Sequence, residues 1–210
     1  MNKEKRKEQI LGCAKRLFAL HGYYNTQISD IIRDAKIARG TFYRYFTNKK
    51  DIFVTLLENY YKQWVVEISL ESKKLDLKTI TPEDYFRHRV RNSLSFFASD
   101  PHLCKITLRM GLGLPPDMEH AIQRLEMKMV ELIKEDLVLG INNQHIRPDI
   151  DIDMTANMIV GAILRISYFY FALSEEQYTP EDIGKMTEEA AHIFLPGIFI
   201  QYGAEKIKKA

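Results

Sequence analysis

Apolar residues recur at helical spacing along almost the whole chain, with Gly and Pro sparse, and no strand pattern or internal repeat competes with that period. Ile10, Leu11, Ala14, Leu17 and Phe18 share one face of a helix expected over 3–20. Lys and Arg occupy its other face, and Gly22 stands just past its end as a stop. Thr26 is placed to cap a short second helix striped by Ile28, Ile31, Ile32 and Ala35, and Lys36 and Ile37 break it. A third, very short helix is expected over 38–45. Thr47 or Asn48 then caps a long fourth helix reaching about Ser72. Beyond it Pro82, Pro101 and Pro116 open helices over 82–99, 101–111 and 116–139, and 140–149 reads as irregular. Two final helices, 151–173 and 180–202, are apolar over much of their circumference, which demands burial on more than one side. The fold class is therefore all-α. A three-helix N-terminal domain over 1–48 is joined by the long fourth helix to a larger helical domain over 49–210.

Charge divides the chain at the same place. Residues 1–50 carry twelve Lys and Arg against four Asp and Glu, a balance of +8, and the remaining residues carry eighteen against twenty-four, a balance of −6. A small basic module on a larger acidic one suits contact with a polyanion through the first part alone, nucleic acid foremost; membranes, protein partners and a merely solvated surface remain open on charge alone. Cys13 and Cys104 are too few for a disulfide framework and lack zinc-ligand spacing, so a reducing cytoplasm fits and no metal or cofactor is implied. No signal-peptide pattern follows the N-terminal charges. The most apolar run, 158–173, is short and interrupted by Arg165, so no membrane span is expected.

The segment TQISDIIRDAKIARGTFYRYFTNKK, with ILGCAKRLFALHGYYNT before it, resembles the helix-turn-helix of the TetR family over about the first 55 residues. The LF-x-x-HGY end of helix one, the Thr cap, the GTFYRYF run and the NKK step recur in order. A major groove is wide enough to admit one such helix, and Ile31, Ile32, Ile37, Phe42 and Phe46 would hold the pair together. The resemblance implies base contacts from Arg39, Gly40, Thr41 and Arg44, Gly40 letting the backbone come close. It implies phosphate contacts from Thr26, Tyr43, Tyr45 and Lys49. Ordinary packing for the two tyrosines and a solvated charge for Lys49 are the alternatives. Relatives carry Gly where Lys36 stands and Ser or Thr where Ala38 stands, so the turn and the helix-three cap are both weakened here.

In relatives the last two helices pair across a dimer. Ile159, Ile163, Ile166, Tyr170, Ile193 and Phe194 are the expected interface residues, a homodimer presenting two reading helices to two half-sites. Of the two faces of the 151–173 helix, one carries Ile159, Ile163 and Tyr170 and the other Met158, Gly161, Arg165 and Phe169; one would serve the core and one the partner. Tyr61, Trp64, Phe86, Phe97, Met110, Met127, Tyr168 and Phe169 could line a cavity for a small-molecule effector, with plain core packing as the alternative. Arg109 and Arg165 interrupt apolar stretches and each would need a partner, either an acidic effector or an internal carboxylate. His88, Arg89 and His120 read as solvated. No nucleophile elbow, phosphate loop or HExxH motif points to an enzyme. The function implied is a DNA-binding regulator, a repressor released from a palindromic operator by an effector. A dimer without effector sensing and a nucleoid-type DNA binder are the rivals.

Overall fold

In the computed structural model, residues 3–200 are described apart from 74, 77, 78, 110–113, 115 and 175. Helix α1 (Lys3–Asn25) breaks at Gly22, whose φ of 81° is the left-handed conformation that favours glycine. The carbonyls freed there are met from the next loop. Thr26 is buried and its hydroxyl donates to Gly22 O at 2.8 Å and Leu17 O at 3.2 Å. Thr26 thus closes α1 instead of capping α2 (Ile28–Asp34); the cap falls to Gln27, whose N–H donates to the Asp30 carboxylate at 3.1 Å. Lys36 takes the turn at φ 51°, and α3 (Arg39–Tyr43) starts from Ala38 with no side-chain cap. Helix α4 (Lys49–Lys73) is capped by Asn48, which accepts from Asp51 N–H at 2.9 Å, while Asp51 accepts from Thr47 N–H at 2.7 Å. Ile10, Phe18, Ile31, Phe42, Phe46 and Phe53 are buried between these four helices.

The larger part is built from α5 (Pro82–Ser99), α6 (Pro101–Arg109), α7 (Pro116–Asn142), α8 (Ile152–Ser167) and α9 (Pro180–Ile198), with a π-helical turn, Tyr168–Ala172, extending α8. Prolines stand at the starts of α5, α6, α7 and α9, where a missing N–H costs nothing. Thr81, Asp151 and Thr179 cap α5, α8 and α9. Helix α5 packs on α9, α7 on α8, and α6 on both α1 and the π turn. Asp100 caps α6 by accepting from Leu103 N–H at 3.1 Å and also pairs with Lys15, fastening α1 to the larger part. Helix α7 runs three residues into the segment read as irregular. Helix α9 ends at Ile198, before the expected 202, because Phe199 turns extended and bridges antiparallel to Ile146; residues 201–210 lie outside the described part.

The two faces of α8 sort differently from the expected interface. Ile159 and Ile163 are buried in the chain's own core, so they cannot meet a partner. Ile166 and Phe194 pack half-buried against the same core, Phe194 with its ring 6.3 Å from Phe86. The outward apolar surface consists of Met154, Met158 and Phe169 on α8 and its π turn, with Ile193 on α9; Tyr170 is at its edge.

Lys36 holds a backbone conformation that crowds its Cβ against the following carbonyl, and Ala38 leaves the first N–H groups of α3 without a side-chain acceptor. Lys36→Gly and Ala38→Ser are each expected to raise the unfolding free energy by about 1 kcal/mol. In urea denaturation both should move the midpoint upward with unchanged slope; a midpoint unmoved by either would show that the turn is not strained.

Candidate nucleic-acid interface and internal cavity

Helix α3 is anchored from one side only. Phe42 is fully buried and stacks toward Phe46 at 5.9 Å, so the opposite side of this five-residue helix must face outward. Arg39, Gly40, Tyr43 and Arg44 are exposed there, Thr41 and Tyr45 are half-buried, and the Arg39 guanidinium lies 5.8 Å over the Tyr43 ring. Elsewhere in the unit the guanidiniums are engaged, Arg16 with Asp34 and Arg33 with Asp30, both at 2.7 Å. Among the described residues neither Arg39 nor Arg44 is held by a carboxylate. Gly40 adds a second signal. Its backbone is ordinary helix and a Cβ there would meet nothing within 4 Å. Glycine costs a helix about 1 kcal/mol relative to Ala and nothing inside the chain requires it, so the space above Gly40 suits the close approach of something outside.

The residues expected to touch phosphate divide. Tyr43 is presented freely and Tyr45 partly. The Thr26 hydroxyl is spent on α1, as described above. Lys49 donates to Tyr23 O at 2.8 Å and Tyr24 O at 3.3 Å, and sits 4.4 Å over the Tyr23 ring. Burial pushes its ammonium below the usual lysine range. Lys49 is therefore a clasp that ties the start of α4 to the end of α1, with its charge directed at that helix's free carbonyls.

A cavity of about 300 Å³ opens between α4, α5, α7 and α8 and the end of α9, walled by Ile68, Phe86, Leu132, Ile133, Ile159 and Ile163 together with Trp64. The exposed residues of its lining, Thr81, Leu139, Asn143 and His145, mark its mouth. One polar cluster interrupts the apolar wall. Asp136 accepts from the Tyr85 hydroxyl at 2.9 Å and from Arg89 Nε at 3.1 Å. Burial and then the neighbouring Asp136 charge push the Tyr85 phenol up to about 12, so it remains a neutral donor. Burial also raises the Asp136 carboxyl above its ordinary range, opposed by the Arg89 charge. Among the described residues the indole N–H of Trp64 has no partner.

Of the described residues singled out for the cavity, Trp64 and Phe86 alone line it. Phe97 is buried outside the lining, Met127 and Phe169 are exposed, and Tyr61 lies under the Arg124 guanidinium at 5.5 Å. Arg165 is exposed over the half-buried Tyr168 ring at 5.7 Å, so it has no need of a buried carboxylate. Met110 and the side chain of Arg109 lie outside the described residues. Arg89, read as solvated, is instead half-buried and paired, and Tyr85 and Asp136 join it. A signal existed: Tyr85 and Arg89 stand four apart on one helix face, and Asp136 falls on the stripe of Met129, Leu132 and Ile133. Among the described residues no group of three or more His, Cys, Asp or Glu could hold a metal ion.

Comparison with known proteins agrees with this layout. Residues 10–56 match the family profile "Bacterial regulatory proteins, tetR family". The chain is similar to the fatty acid metabolism regulator protein of Bacillus subtilis, 26% identical over 74% of this chain and 78% of that protein. A putative TetR-family transcriptional regulator from Syntrophomonas wolfei superposes with a TM-score of 0.74 at 26% identity, covering 95% of this chain and 99% of that one. The transcriptional regulator FadR of Bacillus subtilis, solved in complex with stearoyl-CoA, shares the fold with a TM-score of 0.73 at 22% identity, covering 89% and 96%. The helix-turn-helix sequence, the outward-facing α3 and the all-helical architecture are thus concordant: residues 10–56 form a DNA-binding domain of the tetR-family type, and the whole chain is similar to TetR-family regulators.

Proposed function

We propose that the protein is a homodimeric, sequence-specific DNA-binding transcriptional regulator, a cytoplasmic repressor that a small molecule in the cavity releases from a palindromic operator. The observation that carries the reading is α3, with two uncompensated guanidiniums flanking a glycine that the fold does not need. In this role Arg39, Thr41 and Arg44 read base edges and Gly40 lets the backbone approach. Tyr43 and Tyr45 contact phosphate, with Thr26 and Lys49 acting behind them by holding α1, α2 and α4 in register. The reading domain ends near residue 48, where α4 starts.

The effector part rests on the cavity. Its walls suit an apolar chain, and the structurally similar FadR of Bacillus subtilis was solved with stearoyl-CoA. An acyl-type effector is accordingly the proposed class. Helix α4 begins at the α3 junction with Lys49 and contributes Trp64 and Ile68 to the cavity wall, so occupancy bears on the helix that positions the reading head. Such a ligand acts through its differential affinity for the DNA-competent and released states.

The proposed dimer uses the outward face of α8 and the exposed Ile193 on α9. The segment Ile152–Ala172 is long and apolar enough by composition to cross a membrane. One of its faces is core, however, and the outward face mixes Met158 and Phe169 with Asn157 and Arg165, which suits a subunit surface.

Selection of the purified protein against a random duplex pool at physiological salt should enrich a palindrome; generic, salt-sensitive retention without enrichment would favour a nucleoid-type binder. With that palindrome as probe, Arg44→Ala should cost about 1–3 kcal/mol of binding and relax preference at one position of each half-site. Gly40→Ala should make the fold more stable by roughly 0.5–1 kcal/mol while weakening operator binding on the order of tenfold. A variant that gains stability and keeps full affinity would remove the close-approach role. Met158→Glu combined with Ile193→Glu should yield monomers in sedimentation equilibrium with the helical content intact, and a persistent dimer would place the interface elsewhere.

A further inference from the structure

Helix α2 ends in a cap that glycine ordinarily supplies. Lys36 N–H donates to Arg33 O and Ile37 N–H to Ile32 O, both at 3.2 Å, a pair of bonds that requires residue 36 to turn left-handed, as it does at φ 51°. Ile32 and Ile37 pack half-buried against the core, so the apolar part of the cap is complete as well. None of these contacts calls for a lysine. Glycine would make the same bonds with no Cβ to crowd the following carbonyl.

The lysine charge is not used inside the chain either. Lys36 is exposed, and among the described residues no carboxylate pairs with it. Its field reaches Asp34, but that carboxylate is already bonded by Arg16 at 2.7 Å. Backbone held in such a conformation without internal need collects at functional sites. Among the described residues the other non-glycine residue with positive φ is Gln144, which holds the same cap position at the end of α7. Its N–H donates to Ile141 O at 3.0 Å and His145 N–H to Gly140 O at 2.9 Å, and it stands between Asn143 and His145 at the mouth of the cavity.

Position supplies a use for the Lys36 charge. The Gln9 side chain donates to Ala35 O and accepts from Arg6, both at 2.9 Å, so the basic start of α1 is tied to the turn that carries Lys36. Arg39, the first residue of α3, follows shortly after. A reading helix enters the major groove with its N-terminal residues against base edges, so the turn that feeds it lies at the rim of the groove, where the phosphates run. A long, unpaired cation on that turn is within reach of the DNA backbone.

Resting on the reading of α3 as the DNA-contacting helix, we propose that Lys36 is a phosphate-contacting residue. The chain keeps a lysine in a left-handed turn because its ammonium neutralises an operator phosphate beside the groove that α3 enters. This contact sets affinity and salt dependence, and leaves the sequence that is read to α3.

Lys36→Gln removes the charge and keeps the turn, since Gln144 holds the same conformation. The full-length proteins are titrated by fluorescence anisotropy against two labelled duplexes, the palindrome selected by the native protein and a random sequence of equal length, over a series of salt concentrations. Lys36→Gln should weaken both duplexes by about tenfold. It should also lower the slope of log affinity against log salt by about 0.9 for each subunit on the DNA. Lys36→Arg should restore affinity and slope, and a fresh selection with Lys36→Gln should return the native palindrome. Unchanged affinity and slope in folded Lys36→Gln overturn the inference, and so does an altered base preference, which would make residue 36 a base reader. Lys36→Gly, which relieves the crowding, gives the same readings should the glutamine variant fail to fold. If a palindrome is enriched and the slope does not move, the regulator reading stands and the phosphate contact falls. If no sequence is enriched while the slope on random duplex still falls in Lys36→Gln, the phosphate contact stands and the regulator reading falls.

Discussion

Helix α4 has to satisfy two cores with one continuous set of side chains. Its first turns put Ile52, Phe53 and Leu56 among the aromatic residues of the N-terminal helices, and its later turns carry Tyr60, Trp64 and Ile68 into the larger part. At 1.5 Å of rise per residue its 25 residues span roughly 37 Å, more than either core needs alone. Because the helix has no break, any rotation or tilt that repacks one end is felt at the other. The clasp at Lys49 sets where that lever is held. Its ammonium loses hydration, and two carbonyls of α1 and the face of Tyr23 replace the water. A cation at the start of α4 opposes that helix's own dipole, so its position makes sense only through α1, whose broken end supplies the negative pole.

A second joint lies away from α4. Asp100 both caps α6 and pairs with Lys15 of α1, so one carboxylate couples the helix behind the reading unit to the junction of α5 and α6. Each partner is partly solvated, which keeps the pair modest in energy. The capping bond is the stiffer half, since it fixes Asp100 to the backbone of α6 whatever Lys15 does. With two joints, α1 is restrained at its middle and at its end, and the two short helices α2 and α3 move with it as a body.

What the sequence made legible, and what it did not, follows from the range of the forces involved. Helix starts were readable to the residue at Pro82, Pro101, Pro116 and Pro180 because a missing N–H and a fixed φ act locally. The strained turn at Lys36 and the bare cap at Ala38 were readable through the resemblance, from the Gly and the Ser or Thr that relatives carry at those positions. The end of α9 was not, because the bridge from Phe199 to Ile146 joins residues more than fifty positions apart. At Thr26 and Lys49 residue type suggested contacts with an outside anion, and it did not reveal that carbonyls at the end of α1 also engage both side chains. Two arginines of the larger part, Arg89 and Arg165, fell the opposite way. Arg165 looked buried from its apolar neighbours and is exposed, whereas Arg89 looked solvated among charges and faces the cavity. Local composition cannot tell these apart, because the deciding quantity is which side of the helix meets α7.

The period of α8 carries the last consequence. Ile159 and Ile163 wall the cavity while Met158, offset by one residue from Ile159, points outward in the surface proposed for the second copy. A single helix therefore separates the two by one helical diameter, about 10 Å, with no intervening layer to absorb a displacement. The π turn at its end, where the hydrogen-bond step lengthens, places Phe171 and Ala172 inside and Phe169 outside within five residues. Packed cores resist continuous deformation, so a chain entering the cavity shifts α8 as a body or not at all. On the proposed reading, ligand occupancy would act on α4 and on the subunit surface together, and the spacing of two reading heads would respond to both.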